Sequence, residues 1–238
     1  MTMLEEIPVP NVIEYLQVIN SHFARLFRGV SQKDFSLIPS IGRDFASEFL
    51  DLTPLEIEYL KRFREQIIPF IDPASMDNWD LLMLAQHHGM QTRLLDWTAN
   101  PLVALYFACE KDFDHDGRVY RLDYQAPLDI TKFLDPFNLS IDYSVIRARH
   151  ISPRISAQSA YFTISKNPRM SLELSSAYQQ FDNIYKKIII PHDKKIDILD
   201  ELDRYGINPS TLFPSLEGVS RKINFELTRT KAQLKKSS

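Results

Sequence analysis

One cysteine and six glycines in 238 residues are both scarcities, and each excludes something. With Cys109 alone, the chain supports no internal disulfide and no cysteine-built zinc cage, a usage that suits a reducing compartment. Cys109 lies in the apolar run ALYFACE, which reads as buried packing rather than nucleophilic chemistry. The glycines stand too far apart to form a phosphate-cradling loop, so neither a P-loop nor the usual dinucleotide fingerprint is present. No segment approaches the roughly 20 apolar residues of a membrane span. The opening MTMLEEIPVP has acids where a secretory signal has basic residues. The expectation is a cytoplasmic protein with no membrane contact. A net charge of −3 offers no global positive field, so nucleic acid is not an expected partner.

With 44% hydrophobic residues, the chain is long enough to bury a full core, and we expect a single domain over 1–238 with its core at about 10–225. Residues 229–238 read as a basic, frayed tail. Helical patterns cover 10–23, 51–67, 78–88, 101–113, 194–206 and 216–233. In the second, Thr53, Pro54 and Glu56 spell a capping box. Gly89 is placed to stop the third, and Asn100-Pro101 to start the fourth. Strand patterns cover 24–30, 91–97, 117–125, 160–166 and 184–191. Helices and strands mix without regular βαβ alternation. This predicts an α+β fold with a mixed or antiparallel sheet flanked by helices.

The candidate site follows from strand alternation. In ARLFRGV, Arg28 shares a face with Leu26 and Val30 and is expected to point inward, where a guanidinium needs a carboxylate or a bound anion. Gly29 beside it allows close approach by another strand or a ligand. In TRLLDWT, Asp96 shares a face with Leu94 and Thr98, also inward, so Arg28 and Asp96 are expected to lie close across neighbouring strands. His87 and His88 fall at a helix C-terminus, where the dipole favours imidazolium. Adjacent histidines cannot chelate one ion together, and no metal site is expected. Asn100 is either a plain N-cap or part of an anion site at the helix N-terminus. Farther on, RHISPRISAQSAYFTI holds Arg149, Arg154 and Gln158, the last equipped to bond sugar hydroxyls.

These residues together resemble the FRG domain, a bacterial and phage-associated family. The named element is Phe27-Arg28-Gly29, and LIPSIGR supplies Leu37, Pro39, Ser40 and Arg43. QHHGMQTRLLDWTANPLVALYFA carries the family's Gln-His-x-Gly turn and its Thr-Arg-Leu-Leu-Asp-Trp-Thr-x-Asn-Pro run. Arg154, Gln158 and Phe162 fit a later element, and YGINPSTLFPSLEG a closing one. A weaker resemblance to the ADP-ribosyltransferase fold implies a split sheet with NAD in its cleft. It implies Arg28 on the NAD phosphate or ribose, and Thr98 supporting the nicotinamide ribose or Arg28 itself. Phe27, His87, His88, Asp96, Asn100, Tyr106, Phe107 and Arg154 would then lie around the ligand. Gln158 stands where such enzymes carry a glutamate, and glutamine cannot supply the full negative charge. The resemblance implies ADP-ribose transfer or NAD hydrolysis, in a setting such as phage defence, with an acceptor that is still open. The alternative is a non-catalytic module that binds a nucleotide or a peptide in the same cleft.

Overall fold

The computed structural model describes residues 6–20, 26–43, 51–124, 126–132, 135–139, 143–149, 153–174 and 187–236. Strands β1 (Glu6–Pro8), β2 (Leu26–Val30), β3 (Leu94–Thr98), β4 (Gly117–Leu122), β5 (Tyr143–Arg147), β6 (Ala160–Ser165) and β7 (Lys187–Ile190) form one sheet in the order β1-β7-β4-β2-β3-β6-β5. The β1–β7 pair is parallel and the others are antiparallel. The expected α+β class with a mixed sheet is therefore observed. β5 lacks a clear sequence signal, and the predicted strand 184–191 falls in part outside the described residues.

Helices α1 (Val12–Asn20), α3 (Thr53–Gln66), α4 (Asn78–His87), α5 (Pro101–Cys109), α7 (Lys195–Arg204) and α9 (Leu216–Lys236) are joined by short helices α2 (Ser40–Arg43), α6 (Pro153–Ala157) and α8 (Pro209–Leu212). α9 continues through Lys236, so most of the stretch expected as a frayed tail is helical. Among the described residues no helix is long and apolar enough to cross a membrane.

The core divides where the sheet divides. α1, α5 and α7 pack on Phe27, Val119 and Ile188, whereas α3 and α4 pack on Leu94, Phe162 and Ile164. The other side of the sheet carries Leu26, Val30, Leu95, Trp97 and Tyr120 under Leu37 and Leu172. β4 gives β2 five paired positions and β6 gives β3 five, yet β2 and β3 meet through Phe27 and Thr98 alone.

Two local expectations are corrected. Thr53 and Glu56 form no capping box: Leu52 precedes the helix without a side-chain cap. Glu56 is instead drawn inward to Arg93, accepting from its Nε at 2.9 Å and from its backbone N–H at 3.0 Å. Thr53 accepts from the same guanidinium at 2.9 Å. Burying a charge demands a partner, and that demand outweighs a cap of about 1 kcal/mol. The capping box lies one helix later, where Asp77 and Asp80 close the start of α4. Gly89 takes the left-handed conformation (φ +86°) after α4, as its position predicts.

Candidate functional site

Each residue of Phe27-Arg28-Gly29 meets a different neighbour. Phe27 is buried against α5. Gly29 lets α5 come down onto the strand: a Cβ there would stand 1.8 Å from the Ala104 carbonyl oxygen. The close approach anticipated at Gly29 is thus by a helix, not by a strand or a ligand. Arg28 reaches into the gap between β2 and β3, where its Nη1 donates to the Asp96 carbonyl at 2.6 Å. The Asp96 carboxylate lies 3.7 Å from the same nitrogen.

Arg28 and Asp96 are therefore close, but not in the way alternation suggests. The Phe27–Thr98 register puts Asp96 on the Phe27 side of the sheet and Arg28 on the other. Contact is made because the two strands are unpaired with each other from Arg28 onward in β2 and from Trp97 backward in β3. The expected inward Asp96 is corrected too: its side chain is 58% exposed. A strand residue beside an opening faces water whichever side of the sheet it is on. Burial pushes the Arg28 pKa down, and Asp96 only partly offsets it. Its Nε is buried with no hydrogen-bond partner.

A cavity of about 300 Å³ opens at this gap, a size at the small end for small-molecule sites. Of the expected residues, Phe27, Arg28, His87, Asp96, Thr98, Phe107, Arg154 and Gln158 line it. Three do not. Tyr106 is 5% exposed and lies in the core around α5, because its neighbour Phe107 takes the cleft-facing direction. Asn100 caps α5 by accepting from Leu102 N–H at 3.0 Å, which is the plain N-cap reading. His88 stands in an adjoining groove, edge-on to His87 at 4.9 Å between ring centroids.

The remaining contacts separate scaffolding from exposed chemistry. The Thr98 hydroxyl donates to the Gln158 carbonyl at 2.7 Å and accepts from Asn100 N–H at 3.0 Å, tying β3, α5 and the turn after α6 together. The Gln158 amide donates to the Leu212 carbonyl at 3.1 Å. Arg149 is held by Asp77 and Asp80 at 2.8 and 2.7 Å, near the start of α4. His87 is pushed below the ordinary histidine value by burial and by the nearby charges of Arg154 and His88, against the helix-dipole expectation.

Sequence reasoning missed Gln86 and Glu110. Gln86 accepts from the Thr92 hydroxyl at 2.6 Å and donates to Asp96 Oδ2 at 3.0 Å, so a polar chain that starts just before β3 aims the carboxylate. It was readable only as part of the Gln-His-x-Gly turn. Glu110 follows α5 and is the second acidic side chain lining the cavity, with Arg221 Nη1 at 3.6 Å. Burial pushes its carboxyl above the usual range, and Arg221 opposes this. Its signal lay in ALYFACE, where a lone acid ends an apolar helix.

The cleft wall is pinned from behind by Lys195 of α7, fully buried. Its ammonium donates to the carbonyls of Ser31 (2.7 Å), Lys111 (3.1 Å) and Asp112 (2.9 Å), joining the loops that follow β2 and α5.

Neither the curated proteins nor the solved structures give a match to the chain. Residues 24–117 match the family model described as FRG domain, a stretch that runs from the residues before β2 to the first of β4 and takes in Arg28, Gln86, Asp96 and Glu110. The chain carries an FRG domain.

Proposed function

We propose that the cleft binds NAD and that the protein breaks its nicotinamide–ribose bond, passing ADP-ribose to an acceptor or to water. The observation that carries this reading is Arg28: a desolvated guanidinium in the split of the sheet, with one donor unpartnered, beside a ligand-sized cavity. An under-compensated buried cation favours an anion, and a diphosphate supplies one. The split sheet itself supports the likeness to ADP-ribosyltransferases.

In the reaction, the bonding electrons leave with the nicotinamide nitrogen, neutralising the pyridinium. The ribose C1′ becomes oxocarbenium-like. A hydroxyl, amine or water then adds at C1′ and gives up a proton. Preorganised negative charge beside the sugar lowers that barrier. Gln158 cannot provide it, but Asp96 and Glu110 face the same cavity. Asp96, oriented by Gln86, would stabilise the cationic sugar. Glu110, as the carboxylate, would take the acceptor's proton, and the burial that raises its proton affinity makes it the stronger base.

A second reading is supported by the Gln158–Leu212 bond, which occupies the amide in a structural role: the cleft then holds a nucleotide without turning it over. Calorimetric titration with NAD and ADP-ribose, paired with an assay for released nicotinamide, separates the two. Turnover by the wild-type chain that is lost in a folded Arg28→Gln variant supports the enzyme. Binding without product supports the module. Absence of binding by either ligand would end both.

A further inference from the structure

Beside the cleft lies a groove of about 640 Å³ that shares Gln86, His87 and Arg154 with it. Its floor is a stack of three side chains. The Phe213 ring, 2% exposed, has the Arg154 guanidinium 4.5 Å from its centroid and the Arg221 guanidinium 4.1 Å away. The two cations differ in their pairing. Arg221 is held by Glu217 at 2.7 Å and approached by Glu110 at 3.6 Å. Among the described residues, the Arg154 side chain makes no ion pair and no hydrogen bond, although it is partly buried; the ring fixes its plane and leaves its donors open.

Among the groups facing Arg154, the Glu217 carboxylate is the leading opposing charge, but it forms no ion pair with it. His87 and His88 from the end of α4 and Arg221 from α9 add positive or ionisable nitrogen, and Glu217 is engaged by Arg221. Asp96 and Glu110 act on it only at a distance. A planar, stacked guanidinium with free donors matches the geometry of a phosphate group.

We infer that this groove is a second anion subsite, in which Arg154, flanked by His87 and His88, receives a phosphate group. The inference stands apart from what occupies the cleft, since Arg28 lines the cleft and not the groove. The phosphate belongs either to a separate second ligand or to the far end of a ligand seated in the cleft.

The test is a titration of the full chain with inorganic phosphate and with pyrophosphate, followed by the imidazole NMR signals of His87 and His88. Saturable shifts are expected for both residues, with apparent pKa values rising as the anion binds. Arg154→Gln should weaken the affinity about tenfold or more, and Arg154→Lys should restore part of it. Arg28→Gln should leave it unchanged. Melting curves establish that each variant is folded. Competition by NAD assigns the phosphate to the cleft ligand, and simultaneous binding assigns it to a second molecule; both keep the subsite. Shifts equalled by chloride at matched ionic strength, or surviving Arg154→Gln, overturn it. Shifts abolished by Arg28→Gln move the anion to the cleft and overturn it too, without touching the proposed reaction.

Discussion

Phe27 and Thr98 form the one strand pairing between β2 and β3 among the described residues, and the Thr98 side chain also closes the corner beside it. The two half-sheets are thus hinged where the cleft begins. Replacing the hydroxyl by a methyl leaves the Asn100 N–H and the Gln158 carbonyl without it. Thr98→Val should cost about 1–3 kcal/mol, read as a drop of roughly 2–4 °C in melting temperature per kcal/mol. Thr98→Ser should recover most of the loss. If the two variants melt alike, the hydroxyl does not hold the corner.

The Glu56–Arg93 pair is buried on both sides, at 2% and 1% exposure of the two side chains. Removing one partner strands the other charge. Glu56→Ala should destabilise by about 3–5 kcal/mol, and a double replacement of both residues by apolar side chains by much less. Urea unfolding of these two variants and of Arg93→Ala measures the difference. Additive losses would contradict the coupling.

At Gly29 an added methyl meets helix backbone, which cannot rotate away as a side chain can. Gly29→Ala should cost at least about 3 kcal/mol, beyond the usual range for overpacking, or prevent folding. A variant that melts within two degrees of wild type would show that α5 can retreat.

His87 has a folded-state pKa below its ordinary value of about 6.5, so the unfolded chain binds the proton more readily. Stability should therefore fall as pH drops from about 6.5 toward the lowered value, and stay reduced below it. His87→Gln should flatten that part of the pH–stability curve. Bound phosphate should do the same in the wild type, by raising the folded value. A curve unchanged by the substitution would show that other groups set it.

Glu110 is displaced the other way: burial raises its carboxyl, so the folded state binds the proton more readily, and its contribution to stability diminishes as pH rises from 4.5 through the raised value. Glu110→Gln should leave melting near neutral pH unchanged or slightly higher. If the carboxyl exchanges the acceptor's proton, nicotinamide release falls about 10²–10⁴-fold. Unaltered release would remove Glu110 from the reaction.

Much of this was legible in the sequence because periodicity and caps act locally. β2, β3, α4, α5 and the Gly89 stop followed from alternation, helical spacing and a positive-φ position. The Arg28–Asp96 proximity was also legible, but its geometry was not, because alternation assumes strands that stay paired. The Thr53–Glu56 box failed for a related reason: a distant buried arginine competes for the same carboxylate, and no local pattern reports it. Arg154, Phe213 and Arg221 come from three separate segments, and only folding brings them to one groove.

Lys195 sets a lower limit on how little of the chain can be cut out and still work. Three carbonyl groups converge on its ammonium, and two of the residues that supply these acceptors, Ser31 and Lys111, line the cleft. A fragment trimmed to 24–117 would leave those oxygens crowded together with no cation between them, and would deprive β3 of β6. The portion by which the protein is recognised is thus smaller than the portion that can hold its hollow open.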